Sequence, residues 1–166
     1  MISSSFGYHI GIAGAGAFAE FLAGALAPLP TVHLAAVAGR TDAKRQRVID
    51  AYLRRKPQAG GVREYRDAER LIADPHVDIV IVTTPPHLHA PLARQALKKG
   101  KHVLLEKPGA LAAKELQANI KLAERQKRAL AVNLVLRYHP LVEAVKQLIH
   151  HALLGAVDYA SLHNAA

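Results

Sequence analysis

Six residues, Gly14-Ala15-Gly16-Ala17-Phe18-Ala19, constrain this chain more than any others. They follow a short apolar run at residues 8–13 and open an alanine- and leucine-rich stretch that ends at Pro28. In that setting each small residue has a physical task. Gly14 permits a tight turn, Gly16 lets backbone approach a pyrophosphate, and Ala19 lets the helix pack closely on the preceding strand. The first turn of the helix, from Ala17 and Phe18 onward, offers amide N–H groups without intrahelical acceptors and the positive end of the helix dipole.

The rest of the chain continues the alternation of apolar runs and helical patterns that marks βαβ units and a parallel sheet. Strands are expected at residues 32–38, 62–65, 78–83, 102–105 and 130–136, the run Ile79-Val80-Ile81-Val82 being the strongest. Helices are expected from Asp42, read as the N-cap, to about 55, and near 67–73, 91–99, 112–128 and 139–151. Gly100 reads as the residue that closes the helix at 91–99, and Leu141, Val145, Leu148 and Ala152 form an apolar stripe on the last. Alternation at residues 156–162 reads as one further strand. The expected fold class is α/β, a doubly wound parallel sheet of Rossmann type over residues 1–136. Residues 137–166 are expected to form a connecting helix and the first strand of a second α/β domain.

Composition narrows the function classes. With 51% apolar and 21% charged residues, the chain has enough to bury for a packed core and is not disordered by composition. It has no cysteine, which removes disulfides, thiolate metal sites and thiol nucleophiles, and which fits a cytoplasmic location. The formal charge is +9, yet the basic residues fall in short groups such as Lys44-Arg45 and Arg54-Arg55-Lys56, near expected helix ends. They read as solvated surface, and no nucleic-acid partner is expected. Glu20, Pro28 and Pro30 interrupt the early apolar stretch, so no membrane association is expected either.

The end of the second strand bears on which dinucleotide is held. An NAD site places Asp or Glu there, against the ribose 2′-hydroxyl. This chain reads Ala38-Gly39-Arg40-Thr41. Arg40 can pair with a 2′-phosphate and Thr41 can add a hydroxyl, which favours NADP over NAD; the bland alternative is a surface arginine. Two later segments leave the carboxyl ends of strands, where open α/β sheets bind ligands. One is Thr83-Thr84-Pro85-Pro86-His87-Leu88-His89; its two histidines lack the carboxylate or thiolate neighbours of a metal site, and no metal is expected. The other is Glu106-Lys107-Pro108, an acid and a base delivered by a strand and followed by proline.

With the segments HIGIAGAGAFA, DIVIVTTPPHLHAPLARQALKKGKHVLLEKP and AVNLVLRYHPLV in one order, the chain resembles the Gfo/Idh/MocA family of NAD(P)-dependent oxidoreductases. The resemblance implies hydride transfer between nicotinamide and a hydroxyl or carbonyl of a sugar, polyol or related small molecule. It implies that Gly14, Gly16, Ala17, Phe18 and Ala19 hold the pyrophosphate, and that Thr83, Thr84, Pro85 and His89 run along the cofactor. It also implies that Glu106 and Lys107 lie by the nicotinamide, with Lys107 moving the substrate proton; a lysine buried beside that positive ring suits a base working near neutral pH. Pro86 departs from the asparagine many members carry there, and Arg137-Tyr138-His139-Pro140 matches the family's link to its substrate domain. The family continues into that second domain, through whose sheet a homo-oligomer is expected. A chain truncated before it is expected to be inactive alone. The alternative function is a non-catalytic NAD(P)-binding or cofactor-sensing module.

Overall fold

A computed structural model describes residues 7–161 of the chain. The chain divides into two units between Asn133 and Leu134.

In the first unit, six strands form one sheet in the order β3-β2-β1-β4-β5-β6, every neighbouring pair parallel. They are β1 (Tyr8–Ala13), β2 (Val32–Ala38), β3 (Arg63–Tyr65), β4 (Ile79–Val82), β5 (His102–Leu105) and β6 (Leu130–Val132). Five helices complete the unit: α1 (Ala17–Leu26), α2 (Asp42–Leu53), α3 (Ala68–Ala73), α4 (His89–Lys98) and α5 (Ala113–Gln126). The strand order reverses direction between β1 and β4, which opens a crevice at their carboxyl ends.

The crossover helices lie on both faces, so the central strands are buried on both sides and the core is split in two. On one face Ala19, Ala23, Val48, Ile49 and Tyr52 of α1 and α2 pack on Ile10, Ile12, Leu34, Val37 and Ile81. On the other, Leu71, Ile72, Leu92, Ala93, Ala96, Leu97 and Ala123 of α3, α4 and α5 pack on Ala36, Val80, Val82, Val103 and Leu105. Ala19 is fully buried against β1, as expected of the small residue in the turn motif.

The differences from expectation have local causes. β6 stops at Val132, because its only partner, β5, ends at Leu105, which pairs with Val132. Residues Val135–Tyr138 form a 3-10 turn instead. Helix α4 begins at His89 rather than near 91, so Pro91 falls in its first turn, where a missing N–H costs nothing. Asp42 is not the cap of α2: Thr41 holds that position, and the Asp42 carboxylate accepts from Arg45 Nη2 at 2.7 Å. Gly100 follows α4 with φ +73°, as its closing residue should.

Several basic residues read as solvated surface instead cap carbonyls. Arg55 Nη1 donates to Gly24 O, Lys56 Nζ to Val32 O and Arg128 Nε to Gly100 O. Loop and helix-end carbonyls lack ladder partners, and long cationic side chains reach them while keeping the charge near water.

The second unit holds α6 (Pro140–His150), capped by His139, whose ring accepts from Leu141 N, with Pro140 at the first helical position. Leu141, Val145 and Leu148 of the expected stripe are exposed. Residues 156–161 form no strand, a correction to the sequence reading: alternation alone does not make a strand, which is stable only as part of a hydrogen-bonded sheet. Leu162 lies outside the described residues. No helix among the described residues is long and apolar enough to cross a membrane.

Candidate cofactor site

A cleft of about 640 Å³ opens at the carboxyl ends of β1, β2 and β4. Gly14, Gly16, Arg40, Thr41, Thr83, Thr84 and Pro85 line it, so three segments chosen from the sequence meet in one place.

The turn after β1 explains its own composition. Gly14 has φ +116°, and a Cβ there would lie 2.5 Å from Thr83 Oγ1 and 2.7 Å from the Thr83 carbonyl carbon. Backbone conformation and close approach both exclude a side chain. Gly14 N donates to Ala38 O at 2.9 Å, and Thr83 N donates to Ala13 O at 2.8 Å, which fixes the turn between its neighbouring strands. Gly16 differs: a Cβ there would meet nothing within 4 Å. It leaves open space at the start of α1, beside the unpaired amides of Ala17, Phe18 and Ala19. The side chains of these three residues do not line the cleft; Ala19 is buried in the core, and Ala17 and Phe18 face solvent.

The floor is polar in one telling position. Thr83 Oγ1 lies 3.3 Å from both Ala13 O and Gly14 O. Thr84 Oγ1 is buried with no hydrogen-bond partner among the described residues, and Thr84 is one of the residues that line the cleft. A buried hydroxyl left unpaired is costly, which makes this one a candidate for a partner supplied from outside the chain.

Around the end of β2, Arg40, Thr41 and Lys44 are exposed and line the cleft, joined from the far side by Arg66. Among the described residues none of these three cations forms an ion pair. Asp67 and Glu69 also line the cleft, and Asp67 lies 3.9 Å from Arg70. Arg45, which the sequence grouped with solvated charge, is buried beneath the turn. Its Nη1 donates to Gly39 O at 2.6 Å, its Nη2 to Asp42 and its Nε to Glu64 at 2.8 Å. Burial opposes its charge, but the bonds and charges of Glu64 and Asp42 outweigh that and raise its pKa above the ordinary arginine value.

Three expected site residues lie elsewhere. Glu106 and Lys107 follow β5 at the same sheet edge but do not line the cleft. Asn133 donates to Glu106 Oε1 through Nδ2, and Lys107 N donates to Glu106 Oε2 at 3.3 Å. Lys107 is exposed, so the burial expected around its amine is not provided by the described residues. The Lys107–Pro108 peptide is cis. His89 does not reach the cleft either: it is 1% exposed, with Nε2 2.7 Å from Thr84 O and Nδ1 2.8 Å from Pro108 O. Its neighbour in the motif, His87, is exposed and lines the cleft. Lys44, Arg66, Arg45 and Asn133 are the residues that sequence reasoning did not single out.

Comparison with known proteins agrees with this geometry. Residues 8–134 match the family model described as the oxidoreductase family with NAD-binding Rossmann fold, Gfo/Idh/MocA. Inositol 2-dehydrogenase of Rhizobium meliloti is 30% identical over 133 residues, 79% of this chain and 40% of that protein. The NADP(+)-dependent D-xylose 1-dehydrogenase of Hypocrea jecorina is 33% identical over 125 residues, 75% of this chain and 31% of that protein. Among solved structures, an NAD-binding oxidoreductase from Klebsiella pneumoniae superposes with a TM-score of 0.71 at 30% identity, over 90% of this chain and 40% of that one. The chain thus spans well under half the length of the curated relatives it matches. On the match over residues 8–134 and the sheet order behind it, the chain belongs to the Gfo/Idh/MocA oxidoreductase family.

Proposed function

We propose that this chain is the cofactor-binding part of an oxidoreductase that exchanges hydride between a nicotinamide cofactor and a hydroxyl or carbonyl of a sugar, polyol or related small molecule, with NADP preferred. The observation that carries the reading is the buried, unpartnered hydroxyl of Thr84, a residue that lines the same cleft as the open backbone at Gly16. Together they fit a dinucleotide: one is a polar group awaiting a partner, the other a helix start held clear for phosphate.

The bound cofactor supplies the hydride chemistry, and the protein's task is to hold and orient the reactants. The amides of Ala17 and Phe18 hold the pyrophosphate. Arg40 and Thr41, with Lys44 beside them, take the 2′-phosphate, since no carboxylate stands at the end of β2 to repel it. Thr84 and Pro85 bound the site on the β4 side. Lys107 takes the hydroxyl proton at Nζ as an alcohol is oxidised and returns it in the reverse direction. Glu106, held by Asn133, anchors the segment that carries Lys107. Residues 1–136 are the cofactor domain and 137–166 lead into the substrate domain, which supplies the cover over Lys107 and the surface for a homo-oligomer. A cytoplasmic location accords with this role.

Titrating the chain with NADPH and with NADH by nucleotide fluorescence tests the reading. Saturable binding of both, tighter for NADPH, is expected. Tighter NADH binding refutes the NADP preference, and binding of neither refutes the cofactor role.

A further inference from the structure

We propose that His89 is a positioning residue that ties the cofactor-facing loop after β4 to the lysine-bearing loop after β5, so that one buried ring sets both. The tie is read from geometry; the purpose of each loop rests on the function proposed above. His89 opens α4, and the first turn of that helix is itself anchored from α5, where the fully buried Asn119 donates to Ala90 O at 2.9 Å. From that fixed base the ring spans two main-chain carbonyls, Thr84 O on one side and Pro108 O on the other.

Both partners are backbone atoms, so the ring fixes the path of the chain and not merely the pose of a side chain. One is the carbonyl of the residue whose buried hydroxyl has no partner among the described residues. The other is the carbonyl of the residue after Lys107. Each ring nitrogen lies within hydrogen-bond distance of one of these carbonyls, so the ring bridges the two loops. No side chain of α4 other than His89 bonds to either loop among the described residues. The lysine loop is then held twice, by His89 through Pro108 and by Asn133 through Glu106. Displacing the ring shifts Thr84 and Lys107 together.

The test uses the full 166-residue chain. His89→Phe keeps an aromatic ring in the slot and removes both ring nitrogens, whereas His89→Gln keeps one amide donor. Gly109 N–H shares a peptide group with the Pro108 carbonyl, so its 1H–15N resonance and exchange rate report on that bond without any nucleotide. In folded variants, exchange at Gly109 and Thr84 is expected to speed up and the NADPH Kd to rise about tenfold, less for Gln than for Phe. A folded variant with an unmoved Gly109 resonance, or with an unchanged Kd, overturns the tie. If the unmodified chain binds neither nucleotide, the cofactor role fails while Gly109 still decides the tie. If it binds and the variants bind equally, the tie alone fails.

Discussion

Arg45→Met separates the residue that builds the cofactor turn from those that touch the cofactor. Methionine keeps the length of the side chain in its buried slot and removes the guanidinium. The three hydrogen bonds that the guanidinium makes are unequal. The bond to Asp42, whose side chain is 77% exposed, is worth little, and the pair with Glu64, 38% exposed, must be discounted for solvent. The bond to Gly39 O is charge-assisted and part-buried at 2.6 Å, and it carries most of the effect. Losing it, with the remnant of the Glu64 pair and some return from burying methionine, costs about 2 kcal/mol. For a domain of this size that lowers the melting temperature by roughly 4–8 °C. Because Gly39 leads directly into Arg40 and Thr41, NADPH affinity should fall by about tenfold as well. Lys44→Met is the control, since that side chain is exposed and lines the cleft. It should leave the melt within about 0.5 kcal/mol of wild type and still weaken NADPH. Thermal melts and fluorescence titrations of the two variants side by side decide the matter. An Arg45→Met chain that melts with wild type refutes the structural role assigned to the guanidinium.

Other expectations follow from the same geometry. Gly14→Ala meets both φ +116° and the Thr83 backbone, so it should cost about 2 kcal/mol or more and abolish nucleotide binding, read by melt and titration. Arg40→Ala should weaken NADPH about tenfold while leaving NADH within about twofold, because only the 2′-phosphate loses a partner; equal losses on both would refute that pairing. Lys107→Ala should keep NADPH affinity within about twofold in this chain and remove most turnover from the complete enzyme, and unchanged turnover would take Lys107 out of the mechanism. Asp74, almost fully buried, is opposed by desolvation. Its bonds from His76 N, Tyr65 and Arg63 outweigh that and hold its pKa below the usual aspartate value. A depressed carboxylate stabilises the fold fully above its unfolded pKa, and the contribution is lost as pH falls through the lower folded value. Asp74→Asn should therefore flatten the acid limb of the stability–pH profile; an unchanged limb would refute the assignment.

What could be read from the chain alone was whatever depends on neighbours in sequence. The Gly14 turn and the β-branched run of β4 declare themselves within a few residues, since backbone conformation and two-sided burial act locally. The parallel order of the sheet followed from the alternation of elements. Residues whose meaning depends on distant partners were misread or passed over. Arg45 looks like surface charge beside Lys44 until Glu64, 19 positions on, turns toward it. Asn133 has no visible task until Glu106, 27 positions back, meets it at the sheet edge. His89 was placed along the cofactor by resemblance to the family, and its bond to Pro108 O, 19 positions on, together with that to Thr84 O, holds it in the interior. The strand expected from alternation is absent over 156–161 for the converse reason: alternation is a local signal, but a strand is a relation between two segments.

The same division separates the two tasks of the site. Phosphate binding, as proposed, needs backbone amides and a bare turn, which one continuous segment supplies. The proton transfer proposed for Lys107 needs a base held at a fixed place and shielded from water. The first requirement is met here by the bonds to the Glu106 carboxylate and to the Pro108 carbonyl. The second is not, for Lys107 is exposed. In the proposed reaction, a loop held firmly beforehand leaves only the exclusion of water to be supplied at Lys107, without also paying the entropy of ordering the base.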